Sequence, residues 1–350
     1  SSPSSGGGFL DPGNFNKGDT HYWKVWHVLV PFTPYRQAKF PFCSPYGFES
    51  FPSMKTIRTF CEEKDHNCFS RVMENHQKCK GGNGNILRYL SNNYLYPSGF
   101  EDLVYASQLL QADAIAYGVE HFRRNRGVCM GSIYWQFNDN WPVASWSSMD
   151  YYGRYKALHY MARVFNEAVA GSIRKEGNTM GFWISNESLK EAAVEVKVSL
   201  KDLDFKVLYE ETVSGTVAPL SAVDLLTKDF SELIEGRSEQ VFVTMEYKVT
   251  DKETGKTEER CEFETFVPVK HLELKDPELT VSCAEDGTVT ISAKSFAPYC
   301  MVEGVNEDII WDSNVLAMTD GNAKVLHPVK GVVPGVKPEI RVYDVYHTYA

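Results

Sequence analysis

The hydrophobic period of this chain changes near residue 170, and that switch restricts its fold more than any other feature. Upstream, apolar residues recur at helical spacing. Leu103, Ala106, Leu110, Ala114 and Tyr117 share one face, and Asn125 and Gly127 supply a stop, which predicts a helix over 101–125. A second helix is expected over 153–169, with Leu158, Met161, Ala162 and Phe165 inward, and shorter ones at 54–63 and 68–78. Compact apolar runs at 40–44 and 127–135 read as buried parallel strands. Gly81-Gly82-Asn83-Gly84 has no strand before it, so it reads as a flexible loop and not as a phosphate cradle. Downstream the period is two. Val194, Val196, Val198 and Leu200 alternate with Glu195, Lys197 and Ser199, and Val241, Val243, Met245 and Tyr247 repeat the pattern. Asp251-Lys252-Glu253-Thr254-Gly255 offers a hairpin turn, as does Glu285-Asp286-Gly287 between Leu279-to-Cys283 and Val289-to-Ile291.

Strand, helices, strand, helix is the order of a (β/α)8 TIM barrel, yet only about two and a half of the eight units fit before residue 170. The expected fold is therefore multidomain, α/β plus all-β. It comprises the C-terminal portion of a barrel at 1–169, then two β-sandwiches at 170–268 and 269–350, with a joint near Pro268 and Pro277. The chain starts without Met on Ser1-Ser2-Pro3-Ser4-Ser5 and three glycines, like a loop entered midway. The expectation is a piece of a longer protein whose earlier strands lie upstream.

A formal charge of −10 disfavours nucleic acid, since phosphate binding needs clustered Lys and Arg. No run approaches the roughly 20 apolar residues of a membrane span. The eight cysteines are scattered, without C-x-x-C or a His at zinc spacing, so no metal or other cofactor is expected. Free thiols point to a reducing, cytoplasmic setting. Asn186-Glu187-Ser188 is then an accidental sequon.

Tyr134-Trp135-Gln136-Phe137-Asn138-Asp139-Asn140-Trp141-Pro142-Val143-Ala144-Ser145-Trp146-Ser147-Ser148-Met149-Asp150-Tyr151-Tyr152-Gly153, followed by Lys156-Ala157-Leu158, resembles the last barrel strand of the β-mannosidases in glycoside hydrolase family 2. Supporting stretches are Ser2-Pro3-Ser4, Gly18-Asp19-Thr20-His21-Tyr22-Trp23, Gly47-Phe48-Glu49-Ser50-Phe51-Pro52-Ser53, the helix from Gln108 to Arg124, and Trp183-Ile184-Ser185-Asn186-Glu187-Ser188-Leu189. The resemblance is strong to about residue 169 and looser beyond. It implies a five-domain parent in which the trailing sandwiches are immunoglobulin-like, acting on terminal β-D-mannosyl residues.

Retaining glycosidases need two carboxyl groups, one protonating the leaving oxygen and one attacking the anomeric carbon. The resemblance places the proton donor after an Asn on the fourth barrel strand, upstream of this chain. It places the nucleophile within a Ser-Glu-Phe/Tyr-Gly motif on the seventh strand, which here reads Ser44-Pro45-Tyr46-Gly47. Pro45 has no oxygen to attack with, and such a loss costs on the order of 10⁴-fold in rate. Glu49, four residues on, is roughly 13 Å away along an extended strand and suits a supporting role. Val28 and Pro34 also depart from the family, which tends to Gly and an acid there.

The expected substrate-binding residues are Trp135 as an apolar floor, Asn138 and Asp139 as partners of sugar hydroxyls, and His21 and Trp23 on the sixth βα loop. Core packing for Trp135, turn capping for Asn138 and Asp139, and loop anchoring for His21 and Trp23 are the alternatives. Trp141 and Trp146 are expected to seal the barrel top against helix 153–169. The expected partners are a β-mannoside and either the N-terminal remainder of the parent or a second copy. Other family 2 activities (exo-β-glucosaminidase, β-galactosidase, β-glucuronidase) and a non-catalytic sugar-binding fragment remain as alternatives.

Overall fold

The computed structural model describes residues 18–250 and 256–350. Ser2-Pro3-Ser4 and the turn expected at 251–255 lie outside the described residues. The first region runs β1 (Asp19–Thr20), α1 (Lys24–Val28), α2 (Thr33–Gln37), β2 (Phe42–Gly47), α3 (Met54–Ile57), α4 (Arg71–Asn75), α5 (Gly82–Asn93), α6 (Phe100–Arg124), β3 (Ser132–Trp135) and α7 (Ala157–Phe165). Its strands make one parallel sheet, β1-β2-β3, with β2 central.

The helix boundaries follow from local chemistry. At about 1.5 Å per residue α6 is roughly 37 Å long, with Glu101 and Asp102 in its first turn and His121, Arg123 and Arg124 in its last, each sign matched to the helix dipole. The helices expected at 54–63 and 68–78 shrink to α3 and α4. Each is capped by a serine, Ser53 or Ser70, and the stretch between bends through a 3-10 turn closed by Asp65 N–H to Glu62 O (2.9 Å). Helix α7 starts at Ala157, not 153, because Asp150 gathers a turn through Gly153, whose φ of 82° a side chain would resist. The strand expected over 127–135 begins only at Ser132, since Val128 and Cys129 turn back onto the Asn125 carbonyl.

Gly81-Gly82-Asn83-Gly84 is not a loop but the start of α5. A Cβ on Gly82 would stand 2.5 Å from Glu49 Oε2 and 2.6 Å from Gln77, so glycine here allows close packing. Asn83 is itself buried, its amide on the Cys68 carbonyl at 2.6 Å. Ile86, Tyr89 and Leu90 then carry the helix into the core.

The second region holds β4 (Val169–Glu176), β5 (Thr179–Asn186), β6 (Ala192–Asp202), β7 (Val207–Val217), β8 (Ser221–Asp229), β9 (Val241–Thr250) and β10 (Thr257–Thr265). Antiparallel sheets β4-β5-β8 and β10-β9-β6-β7 enclose a core of Met180, Phe182 and Ile184 against Val194, Val196, Val198, Leu200, Val243 and Met245. The period-two residues thus all turn one way, as register pairs such as Val198 with Met245 require. Asn186 is buried at the end of β5. Its amide donates to Lys190 O, Val217 O and Ala218 O, so it has no free face to present.

The third region comprises β11 (Thr280–Cys283), β12 (Val289–Ser292), β13 (Ala297–Gly304), β14 (Ile310–Trp311), β15 (Leu316–Met318), β16 (Lys324–Leu326), β17 (Pro328–Lys330) and β18 (Ile340–Tyr343). They form the small sheets β11-β12-β16, β15-β13-β18 and β14-β17. Helix α6 touches all three regions. Gln111 Nε2 donates to Phe48 O (2.8 Å) in the first, and the Glu120-to-Arg124 turn faces the second. Toward the third, Tyr105 donates to Tyr299 O and Glu101 accepts from Tyr343 Oη (2.6 Å) and from Arg341. The eight cysteines are free, and no helix among the described residues is long and apolar enough to cross a membrane.

Candidate functional site

The C-terminal ends of β2 and β3 lie side by side, Tyr46 opposite Tyr134 and Gly47 opposite Trp135. Two cis peptides, Ser44–Pro45 and Trp135–Gln136, fall there. Tyr46 turns into the helix layer against Tyr35 (5.8 Å between centroids) and Phe122 (5.4 Å), its hydroxyl 3.2 Å from Ser132 Oγ. Pro45 is half-buried, and its carbonyl accepts the Tyr22 N–H at 3.0 Å. That bond ties the loop after β1 to the strand where a nucleophile is expected. Glycine at 47 is imposed by crowding: a Cβ would lie 2.5 Å from Trp135 O and 3.0 Å from both Trp23 and Trp146.

On β3, Ile133 and Trp135 are 55% and 47% exposed at alternate positions of one strand face, and Phe137, past the strand, is 59% exposed with its ring 5.7 Å from that of His159 on α7. Ile133 shares the exposed face of Trp135, and the alternation Ile133-Tyr134-Trp135 in the sequence is the signal that marks it. Of the other expected site residues, Asn138 is exposed and Trp23 half-buried, edge-on to Trp146 at 6.0 Å. His21 is exposed, with Nδ1 3.5 Å from Asp19 Oδ2. Trp23 and Trp135 meet at Gly47; Asn138 follows Trp135 directly in the chain.

Asp139 turns inward. Its carboxylate accepts from Ser145 Oγ (2.8 Å), Ser147 Oγ (2.6 Å) and Gln136 Nε2 (3.0 Å), and Gln136 Nε2 also donates to Asn138 O (2.9 Å). The Asp139 group thus fixes the course of the loop carrying Asn138. Beneath it the segments following β2 and β3 pair: Ser50 N–H donates to Ser145 O (3.0 Å) and Ser145 N–H to Ser50 O (3.2 Å). Lys156, 1% exposed, donates to Ser50 Oγ (3.1 Å) and Ser145 O (3.2 Å). Burial lowers its ammonium to about 8 against the pull of Asp139, Asp150 and Glu49. Gln111 completes the network, accepting from Ser50 Oγ at 2.7 Å and donating to Ser147 O at 3.2 Å.

Glu49 belongs to this interior and not to the open face. It is wholly buried, with Oε2 accepting from Gln77 Nε2 at 3.0 Å and Oε1 unpaired, and burial pushes its carboxyl up to about 8. Trp141 and Trp146 pack away from α7. Trp141 stacks on His76 at 4.6 Å, and Trp146 meets Trp23 and Trp26 edge-on, because the loop after β3 turns toward α1 and α4. Asp150 accepts from the Tyr152 and Arg154 N–H groups at 3.0 Å and from Thr56. No group of three or more His, Cys, Asp or Glu among the described residues is arranged to hold a metal.

Comparison with known proteins gives this arrangement its context. A family model described as "Mannosidase Ig/CBM-like domain" matches residues 178–271. β-Mannosidase B of Aspergillus niger is 36% identical over 165 residues, 45% of this chain and 19% of that protein. The β-mannosidase of Capra hircus is 32% identical over 185 residues, 47% of this chain and 21% of its own length. The crystal structure of the β-D-mannosidase from Dictyoglomus thermophilum superposes with a TM-score of 0.83 at 25% identity, covering 98% of this chain and 42% of that one. The chain is a relative of the family 2 β-mannosidases. It spans about a fifth of the curated β-mannosidases and less than half of the solved one. The relatives it matches are β-mannosidases by name, and the match to the solved structure covers nearly the whole chain.

Proposed function

We propose that this chain is the C-terminal part of a retaining exo-β-mannosidase architecture. β1, β2 and β3 would be the last three strands of a (β/α)8 barrel, and residues 170–268 and 269–350 two immunoglobulin-like sandwiches behind it. Its part of the site binds a terminal β-mannosyl residue without cleaving it. The alignment of three parallel strand ends supports this, since barrel sites gather at that end. Trp135 offers the sugar an exposed apolar face, and Asn138 offers amide donors and an acceptor. Asp139 contributes by holding that loop.

One observation carries the inactive half of the proposal: Pro45 stands in β2 two residues before Gly47, the residue opposite Trp135, at the position where the family resemblance puts the attacking carboxylate of double displacement. Glu49 does not substitute, because its carboxyl is enclosed with Gln77 and Gly82. Incubation of the chain with an aryl β-mannoside is expected to release no phenol above the uncatalysed rate, and turnover at ordinary enzymatic rates, about 1 s⁻¹ or more, would refute the assignment. The exposed Trp135 also favours sugar binding without turnover. Calorimetry with mannose and manno-oligosaccharides checks this reading, and a Trp135→Ala variant should lose any heat observed. The exposed Ile133 and Trp135 on β3 call for cover, by the preceding barrel strands or by a second copy of this chain.

A further inference from the structure

Past Trp135 the chain folds into a narrow ribbon with two ends. At its base Gln136 N–H donates to Trp146 O, Ser148 N–H to Gln136 O and Met149 N–H to Phe137 O, each at 3.0 Å. The chain then reverses over 150–154, where Asp150 N–H donates to Arg154 O and Gly153 N–H to Asp150 O, both at 3.0 Å. It returns so that Lys156 N–H reaches Ser148 O at 3.0 Å. The base follows Trp135 directly and leads into Asn138, the two residues offered to the sugar, while the tip carries Asp150 and Arg154. A hydrogen-bonded ribbon of this size opens and closes as one unit, so what fixes the tip also sets the base.

The tip is held from the third region. Asp308 lies between β13 and β14, and its Oδ1 accepts from Arg154 Nε at 2.8 Å and from Lys55 Nζ at 3.1 Å. Arg154 carries the contact inward: its Nη1 donates to Thr56 Oγ1 at 2.8 Å, and its Cζ lies 4.9 Å from the centre of the Tyr152 ring. The Thr56 hydroxyl in turn donates to Asp150 Oδ2, while Asp150 Oδ1 receives the Tyr152 and Arg154 N–H groups at 3.0 Å. Lys55 and Thr56 are neighbours on α3, so one carboxylate ties that helix and the ribbon tip together. Asp308 is placed by its own region. A Cβ on Gly331 would stand 2.2 Å from Asp308 O, one on Gly304 would stand 2.6 Å from Glu307 O, and Val305 N–H donates to Glu339 O at 2.8 Å. The 305–308 loop thus presents a preformed acceptor to Arg154.

We propose that Asp308 is a positioning residue for the sugar-binding edge: by holding Arg154, the third region sets the turn at 150–154 and, through the ribbon, the place of Trp135 and Asn138. Asp308 acts only through Arg154 and touches no sugar. Its side chain is 47% exposed, so its ion pairs add little to the stability of the chain as a whole. What they supply is direction. The guanidinium is a rigid planar fork, and Arg154 meets Asp308 with Nε and Thr56 with Nη1, so both acceptors are satisfied at one orientation alone. The bearing of Asp308 on sugar rests on the binding function proposed above, whereas its hold on the ribbon does not depend on any ligand.

Hydrogen exchange of the full chain reads the ribbon without a ligand. Asp308→Ala should speed exchange of the Ser148, Met149, Asp150 and Lys156 amides by about fivefold, the upper end of what an exposed ion pair contributes, and leave β6 unchanged. Asp308→Asn keeps the acceptor and should recover most of that protection. Arg341→Ala cuts a different contact of the third region, the one to Glu101, and should leave the ribbon amides alone. Unaltered ribbon exchange in Asp308→Ala, an Asn variant no better than the Ala variant, or equal loosening in Arg341→Ala would overturn the proposal. Calorimetry with manno-oligosaccharides reads the site: Asp308→Ala should raise Kd about fivefold and Asp308→Asn should bind nearly as the unmodified chain does. An unchanged Kd beside a loosened ribbon would also overturn the role. If the unmodified chain gives no heat, the sugar-binding function fails, and the exchange result alone decides whether Asp308 positions the ribbon.

Discussion

The interior beneath β2 and β3 and the interior between the sheets of β4 to β10 are built on opposite principles. The first hides Lys156, Asp139, Gln111, Ser50, Ser145 and Ser147 in one hydrogen-bonded web, with Glu49 buried beside Gln77 near it. The second is apolar, with Val196, Val198, Leu200, Val243 and Met245 at zero exposure beside Phe182 and Phe230. Apolar packing is nondirectional and tolerates small shifts, whereas buried polar groups are satisfied at one geometry alone. The difference teaches where precision is needed: the web aims the loop that carries Asn138, while the apolar core only keeps two sheets together.

Lys156→Ala should break the contrast most severely, because it strips three buried carboxylates of their cation and leaves Ser50 Oγ without the donor it accepts from. A loss of about 3–5 kcal/mol in urea denaturation is expected, with a shift in tryptophan emission as the loop beside Trp135 reorganises. Leu200→Ala should cost about 2–4 kcal/mol through transfer and cavity terms, and it should leave that emission unchanged. If both variants move the fluorescence alike, the division of labour is wrong. Glu49→Gln should have the smallest effect and the most specific pH dependence. Since burial raises this carboxyl to about 8, the folded chain loses stability as pH climbs from 4.5 to 8. The amide should remove that slope, gaining about 1–2 kcal/mol at pH 8 and little at pH 5 in paired denaturation curves.

The regular elements could be read from the chain because their causes are local. The stripe from Leu103 to Tyr117 produced α6 within a residue at each end, and the alternation at Val194–Leu200 produced β6. Helix α5 was hidden by Gly81, Gly82 and Gly84, which look like flexibility, whereas Gly82 makes room for Glu49 and Gln77; the spacing of Ile86, Tyr89 and Leu90 was the trace to follow. The strand carrying Trp135 was legible, but the inward turn of Asp139 was not. Its direction depends on Ser145 and Ser147 returning beneath it, a chain reversal that no period encodes. The Lys156 web likewise joins residues as far as 106 positions apart.

One helix serves as the keel of the whole molecule. With Gln108 and Gln111 α6 grips the backbone beside the candidate site, just past its C-terminal end Arg126 reaches Glu187 of the two-sheet region at 3.2 Å, and through Glu101 and Tyr105 it fastens the last strands. Trimming the chain behind residue 268 would therefore do more than discard an accessory. It would bare one flank of the rod against which the loop of Trp135 is braced, so for protein engineering the three parts are best exchanged as a block.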